Sequence, residues 1–126
     1  MLKIYVIGVG GLIGAISRYY LSEFVHRFLG ASFPYGTLSV NVLGCMLAGG
    51  VMFAVEERGL FSPELRLFVA VGILGAFTTF STFGYETVTL LRQNHFVPAM
   101  STAALNVVLG LAAVWFGRSA LRFFIG

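Results

Sequence analysis

The sequence predicts an all-α integral membrane protein with four transmembrane helices, the third of which is broken in the middle of the membrane. Hydrophobic residues make up 58% of the chain and charged residues 10%, whereas soluble domains carry about 25% charged residues. The mean hydropathy is +0.92. A membrane-spanning helix needs about 20 apolar residues, so 126 residues hold four spans and no separate soluble domain. We therefore expect residues 1–126 to form a single transmembrane domain.

The charge and cysteine content exclude several classes of function. The net charge is +3, but lysines and arginines near membrane ends orient helices, and no soluble basic face exists to bind nucleic acid. The single cysteine, Cys45, lies in an apolar run and cannot form an internal disulfide. With only two histidines, the chain holds no metal-binding cluster of the usual kind. The N-terminal apolar segment lacks a small-residue cleavage site, so we interpret it as a retained first helix.

The first span is predicted over residues 4–24. Gly10 and Gly14 are one helical turn apart, a spacing that allows close helix packing in lipid. Arg18 lies in the later half of the span, where a guanidinium must snorkel, form an ion pair or line an anion-accessible vestibule. These alternatives stay open for Arg18. In the following link, His26 is expected to be an interfacial residue without chemistry.

The second span is predicted over residues 36–55 and carries an asparagine, Asn41, within its apolar sequence. An asparagine in lipid must find hydrogen-bond partners. Two interpretations are open: the Asn41 amide joins neighbouring helices, or its N–H groups face an anion. Gly44 and Ala48, four residues apart, predict a second close-packing face.

The third span is predicted over residues 65–91, which is too long for one straight crossing. Gly72 and Gly75 weaken a helix, and the hydroxyls that follow can satisfy backbone groups left unpaired by a break. We therefore place the break between Gly75 and Thr78. Irregular backbone at membrane depth is tolerated only in protein or beside a cavity, and such breaks accompany ion and substrate sites.

The residues after the break combine aromatic rings, hydroxyls and a carboxylate. Phe80 and Phe83 are three residues apart and should be neighbours on one helical face. Such pairs are most often simple core, but here they alternate with hydroxyls, and the positive edge of a phenyl ring can face an anion. The hydroxyls and the intramembrane carboxylate at helical spacings are Thr79, Ser81, Thr82 and Glu86. An ionisable group at membrane depth is a functional candidate.

The fourth span is predicted over residues 96–124. Ser101, Thr102 and Asn106 form a polar stripe, which either joins helices or lines the same path. With four spans, both termini lie on one side. The cationic residues of that side are Lys3, Arg58, Arg66, Arg118 and Arg122; those of the other are Arg27 and Arg92. Acidic residues weaken this bias, so both orientations of insertion are permitted. Two oppositely inserted copies can then form an antiparallel pair.

The run G-x-x-G-x-x-T-T-F-S-T-F at residues 72–83 resembles the signature of the Fluc family of fluoride channels, also known as CrcB proteins. Residues 10–19 resemble the first-helix motif of that family and residues 36–41 its second-helix motif. The resemblance covers nearly the whole chain. It implies an antiparallel, dual-topology homodimer in the cell inner (plasma) membrane that exports cytoplasmic fluoride passively through two pores.

The resemblance also implies the roles of individual residues. The fluoride pore is expected to involve Asn41, the rings of Phe80 and Phe83, and a polar track through Ser81 and Thr82 toward Glu86. Thr79 and Asn106 are further expected pore residues, Asn106 on the more variable fourth helix, and Arg18 is expected near a vestibule. A structural sodium ion at the dimer centre is expected on the backbone carbonyls of Gly75 and Thr78. Fluoride, lipid and a second copy of the chain are the implied partners.

Three other functions were weighed against a fluoride channel. A proton-coupled exporter resembling the small multidrug-resistance transporters would share the four-helix, dual-topology dimer, but it needs an embedded carboxylate in the first helix. Here that helix has only Glu23, near its end. A structural subunit of a larger complex would not need a helix break with a polar stripe. An enzyme is not expected, because the sequence shows no nucleophile–base pair or metal cluster.

Overall fold

The computed structural model describes all residues from 1 to 126, and it is entirely helical. The helical elements, in chain order, are α1 (Leu2–Leu29), α2 (Tyr35–Glu56), α3 (Pro63–Arg66), a π-helix (Leu67–Leu74), α4 (Gly75–Phe77), α5 (Phe80–Arg92) and α6 (Phe96–Ile125). Counting Pro63–Arg92 as one span, four helices are long and apolar enough to cross a membrane. The prediction of four spanning helices with an interrupted third is therefore confirmed.

Short connections end each span with defined backbone geometry. Gly30 ends α1 with a φ of 82°, a conformation that favours glycine, and its N–H donates to the His26 carbonyl at 2.8 Å. Ser62 caps α3 by accepting a hydrogen bond from the Leu65 N–H at 3.2 Å. Helix α1 extends one turn beyond the predicted span, because backbone hydrogen bonding continues past the apolar sequence. His26 consequently belongs to a helix rather than to a loop.

Glycines bring the helices together at two crossings. At the first, α1 lies against the π-helix, where a Cβ on Gly72 would be 2.9 Å from the Gly10 Cα. At the second, α2 lies against α6, where a Cβ on Gly117 would collide with the Met46 carbonyl. Small residues at such contacts allow backbones to approach closely in lipid. The predicted packing role of Gly10 is thus confirmed.

The break in the third span lies at Thr78 and Thr79, after the end of α4 at Phe77. The break predicted between Gly75 and Thr78 is therefore confirmed at Thr78, but it lies later than expected, because Gly75 is still helical, with φ −61° and ψ −36°. Gly72 is also helical and serves the contact with α1. The physical reason is that glycine permits irregular backbone but does not require it, whereas the hydroxyls at residues 78 and 79 supply the bonds that a break needs.

The interior of a single chain is small. Of the 126 residues, 19 are buried, and the largest fully buried side chains are Val40 and Thr102, at 0% and 1% exposure. Many large apolar side chains lie on the outer surface instead, where lipid or another protein surface replaces water. The break is held between α2 and α6, close to this small core.

Candidate functional site

The break consists of two extended residues between helical segments. Thr78 has φ −84° and ψ 158°, and Thr79 has φ −149° and ψ 113°. The Thr78 N–H and hydroxyl both donate to the Leu74 carbonyl, each at 3.1 Å. These two bonds satisfy the Leu74 carbonyl where α4 ends, so the helix stops here without the glycine or proline that often follows a helix end. The chain direction then shifts before α5 begins.

Asn41 on α2 binds both backbone groups of Thr79. The Asn41 Oδ1 accepts a hydrogen bond from the Thr79 N–H at 2.8 Å, and the Asn41 Nδ2 donates to the Thr79 carbonyl at 3.0 Å. The side-chain amide thus replaces the backbone partner that a continuous helix would have provided. Since unpaired backbone groups are costly in lipid, this pair of bonds explains how the break is stabilised.

Asn106 on α6 extends the same network. The Asn41 Nδ2 also donates to the Asn106 Oδ1 at 3.0 Å. Asn106 in turn donates to the carbonyl and hydroxyl of Thr102, at 2.8 and 3.2 Å. Three helical segments are therefore connected through one asparagine. Both N–H groups of Asn41 already have acceptors inside the chain, which is the helix-joining arrangement that the sequence left open.

Hydroxyl groups gather where α5 begins. The Thr79 hydroxyl oxygen accepts a hydrogen bond from the Thr82 N–H at 3.2 Å and so caps the helix. The same hydroxyl donates to the Thr82 Oγ1 at 3.0 Å and lies 3.4 Å from the Ser81 Oγ. Thr79 is buried, at 8% exposure, whereas Ser81 is exposed. The cluster therefore runs from the interior of the chain to its outer surface.

A cavity of about 450 Å³ opens beside the break. Asn41, Asn106 and Phe83 contribute to its lining, together with the backbone of the interrupted span. The predicted site residues that it brings together are Asn41, Gly75, Thr78, Thr79, Phe80, Phe83 and Asn106. Those outside the lining are Arg18, Ser81, Thr82 and Glu86. The structure thus joins the break, the two rings and both asparagines in one space.

Phe80 and Phe83 are neighbours, as their spacing predicts. Their ring centroids are 5.5 Å apart and the ring planes meet at 61°, so the edge of one ring faces the other. Phe80 is 82% exposed in a single chain, while Phe83 is half-buried. The first ring therefore projects outward from the chain, and the second lies against it.

Glu86 lies away from the cavity and is bonded to α2. The Thr37 hydroxyl donates to the Glu86 Oε1 at 2.9 Å. The other carboxylate oxygen, Oε2, is buried and has no hydrogen-bond partner. Thr37 is four residues before Asn41, hence on the same face of α2. Helix α2 therefore holds both the break and the carboxylate that follows it.

Arg18 is half-buried on α1 and takes part in no hydrogen bond or salt bridge within the chain. It is four residues after Gly14, which packs against Ile73 and Ala76, so the two share a helical face. The ion pair that the sequence left open for Arg18 is not formed within the chain. The structure separates Arg18 from the residues that line the cavity.

The carbonyl of Gly75 is released by the break. In a continuous helix it would accept from the Thr79 N–H, but that N–H donates to Asn41 instead. Gly75 is exposed, and the nearest atom to a Cβ built there is the Ala70 carbonyl oxygen at 3.8 Å. Backbone carbonyls without a helical partner are ligands that a hard cation accepts, and the break leaves one such carbonyl at Gly75.

Several residues of the site were not predicted from the sequence. The sequence does not show that Thr37, in the first turn of α2, is the partner of Glu86. Gly44 lines the cavity, and a Cβ there would collide with the Thr78 methyl group; its only signal was the spacing to Ala48. Cys45 lines the cavity as well, one residue after Gly44, without any chemical signal in the sequence.

The sequence is similar to a known protein family and to several named proteins. A family model described as CrcB-like protein, Camphor Resistance (CrcB), matches residues 5–118. A protein of Shewanella loihica named fluoride-specific ion channel FluC is 46% identical over 112 residues, 89% of this chain and 90% of the relative. Its namesake from Geobacter sulfurreducens is 44% identical over 122 residues, 97% of this chain and 98% of the relative. The family match includes the break and every residue of the cavity lining.

Proposed function

The chain belongs to the CrcB-like family, and from this premise we propose that it is a fluoride-selective ion channel of the bacterial inner membrane. Fluoride would leave the cytoplasm passively, down its electrochemical gradient. The observation that carries the proposal is the cavity at the break, where two phenylalanine rings and two asparagines meet. The relatives named fluoride-specific ion channels span 89% or more of the chain. Such a protein is a transporter and not an enzyme.

The chemistry of the site suits a small, strongly hydrated anion. A pore must replace the water around fluoride with other donors and still release the ion. The hydroxyls of Ser81 and Thr82 are such donors, and the positive edges of Phe80 and Phe83 add a weak attraction without a fixed charge. The absence of a cationic side chain from the cavity lining agrees with an ion that must not be trapped.

Asn41 has a specific part in this proposal. Both of its N–H groups donate within the chain, to Thr79 and to Asn106. Fluoride reaches this amide only by exchanging with one of those acceptors, which leaves the rest of the network in place. In this proposal Asn41 therefore stabilises the break and supplies an N–H donor to fluoride when the ion replaces one of these two acceptors. The track then continues past Ser81 and Thr82 toward Glu86.

The functional unit in this proposal is an antiparallel pair of identical chains with two pores. Phe80 is 82% exposed in one chain, so the ring becomes part of an enclosed path only when another surface covers it. The weak charge bias permits both insertions, and a twofold pair uses the same surface on both copies. Each pore would combine Phe80 of one copy with Phe83 of the other.

A structural sodium ion would join the two copies. The released Gly75 carbonyl is exposed beside the cavity, and Thr78 follows it in the break. Backbone carbonyls from both copies would supply the oxygen ligands that such an ion needs. The ion would hold the two breaks together and take no part in moving fluoride. Removing sodium should therefore loosen the pair before it changes selectivity.

The test is fluoride efflux from liposomes that contain the purified protein, measured with a fluoride electrode and without a proton gradient. We expect rapid fluoride release with chloride retained. A Leu111→Ile variant is a control, because Leu111 is 69% exposed on α6 and lies outside the cavity lining. A folded protein that releases fluoride only when a proton gradient is imposed would favour the proton-coupled exporter instead. No fluoride release under either condition, from protein shown to be folded, would refute the fluoride channel and make the proton-coupled exporter the next function to test.

A further inference from the structure

One histidine lies at the end of the proposed fluoride track. His26 is half-buried in the last turn of α1, and its ring packs on the start of α2: a Cβ on Gly36 would be 3.0 Å from the His26 Nε2. The next residue, Thr37, donates its hydroxyl to Glu86. Histidine, glycine, threonine and glutamate thus form a short chain of contacts across α1, α2 and α5.

The contacts of Glu86 leave its charge incompletely balanced. One oxygen accepts from Thr37 at 2.9 Å, and the other is buried without a hydrogen-bond partner. No salt bridge joins Glu86 to His26, but the imidazole packs on Gly36, and the next residue, Thr37, is bonded to the carboxyl group. At membrane depth the effect of one charge on another is strong, because little water screens it.

The other titratable groups at this end of the bundle do not replace His26. Those on the neighbouring elements are Glu23 and Arg27 on α1, Tyr35 at the start of α2, Arg92 at the end of α5 and His95 before α6. Glu23, Arg27, Arg92 and His95 are exposed, and Tyr35 is half-buried. The first turns of α2 and α6 contain no acidic residue. His26, by contrast, is half-buried against Gly36, next to the Glu86 partner Thr37.

We propose that the proton of His26 controls how readily fluoride passes the Glu86 end of the track. With His26 neutral, the Glu86 carboxylate opposes an approaching anion. When His26 is protonated, its positive charge offsets that field, and fluoride passes more easily. The end of a helix favours a cation at this position, and histidine gains a proton between about pH 8 and pH 5. His26 is a positioning residue here, because it acts through Glu86.

This inference rests on the proposed function and adds a physiological direction to it. Acid outside a cell drives hydrogen fluoride inward, where it ionises. A pore that conducts fluoride faster at lower pH would respond to acid, the same condition that causes fluoride to accumulate in the cell. An antiparallel pair would present one Glu86 end of the track on each side of the membrane.

The experiment measures fluoride efflux at equal inside and outside pH from 6 to 8, with the leak of protein-free liposomes subtracted at each pH. Wild-type flux should rise at least about threefold from pH 8 to pH 6. His26→Gln should be slow and flat across this range, and His26→Arg fast and flat. His95→Gln is the matched control, since His95 is exposed, and it should keep the wild-type profile. Glu86→Gln should also abolish the pH dependence.

A wild-type profile that is flat while fluoride flows would overturn the inference and leave the channel function standing. A His26→Gln profile that matches wild type, or a Glu86→Gln profile that keeps the threefold rise, would overturn it as well. If His26→Gln does not assemble, as judged by size-exclusion chromatography, the wild-type and Glu86→Gln profiles decide the question. Absence of fluoride flux from the wild type at every pH would instead remove the proposed function and the inference with it.

Discussion

The two halves of the third span differ in what their side chains do. Before the break, the π-helix Leu67–Leu74 is apolar and lies against α1 at a glycine crossing. After the break, α5 carries hydroxyls, a carboxylate and the exposed Phe80. The first half is held by close backbone packing, and the second is connected to its neighbours by a few side-chain hydrogen bonds.

This difference separates the part of the chain that holds the fold from the part that carries the proposed ion path. The π-helix of the first half is apolar, so it can position the break but has no polar side chains with which to bind an ion. The second half is fixed at only a few points, by Asn41 at Thr79 and by Thr37 at Glu86. Substitutions in the first half should therefore lower the yield of folded protein. Those in the second half should lower fluoride flux while the protein still folds.

The largest effect is expected for Gly72→Val. A Cβ at this position would be 2.9 Å from the Gly10 Cα and 3.0 Å from the Ile7 carbonyl oxygen, so the helices must separate. Overpacking of this kind costs about 1–3 kcal/mol or more, although valine is the better helix former. We expect little monodisperse protein on size-exclusion chromatography. Gly8→Val is the control, because no atom lies within 4 Å of a Cβ there. Equal yields of the two variants would contradict the packing role.

Next in size is the effect of Asn41→Asp on transport. The aspartate can still accept from the Thr79 N–H, but it loses both donated bonds and adds a negative charge. The added negative charge opposes a passing anion, and a barrier raised by about 1.4 kcal/mol lowers a rate about tenfold, so we expect fluoride flux to fall at least about tenfold. Asn94→Asp places the same change in the exposed turn before α6 and should be neutral. A normal rate would refute Asn41 as part of the pore.

A smaller loss is expected for Phe80→Ile and Phe83→Ile. Each removes one ring from the pair whose centroids are 5.5 Å apart, and with it the polarised edge that faces an anion. We expect each variant to lower fluoride flux about tenfold or less while the assembled protein persists. Phe123→Ile, at another exposed phenylalanine, should leave flux unchanged. Unaltered flux in both ring variants would remove the rings from the mechanism.

The smallest effect is expected for Thr37→Val, which keeps the shape of the side chain. It deletes the 2.9 Å bond to Glu86 and leaves both carboxylate oxygens without a partner in the chain. Flux should change about two- to threefold, with a stability loss of about 1 kcal/mol in thermal unfolding followed by Trp115 fluorescence. Thr89→Val serves as the reference, since the Thr89 hydroxyl bonds only the Tyr85 carbonyl on its own helix. A reference variant that changes flux equally would show that Thr37 has no special role.

The sequence predicted the four spans because the length and apolar content of a membrane helix are local properties. The position of the break was not local. Thr79 is held by Asn41, 38 residues earlier, and Asn41 is bonded to Asn106, 65 residues later. The predicted break began at Gly75 because the flexibility of glycine can be read from the sequence. The hydrogen bonds that stabilise the extended Thr79 depend instead on how three helices pack.

The site shows the same limit. The contact between Phe80 and Phe83 followed from their spacing on one helix, and the structure confirms it. The bond from Thr37 to Glu86 joins different helices, and its prediction would have required the rotation of α2 relative to α5. His26 was assigned no chemistry because the apolar run ends before it, yet α1 continues and carries it onto Gly36.

The hydrogen bonds at the break also bear on how such a protein is made. Thr79 obtains its partners from Asn41 in its own chain, so the irregular backbone is satisfied as soon as α2, α5 and α6 meet. The Thr79 backbone of a newly inserted copy then needs no second copy to pair it, and only the Gly75 carbonyl released by the break is left for one. In the proposed antiparallel pair, each copy would therefore fold first and pair second.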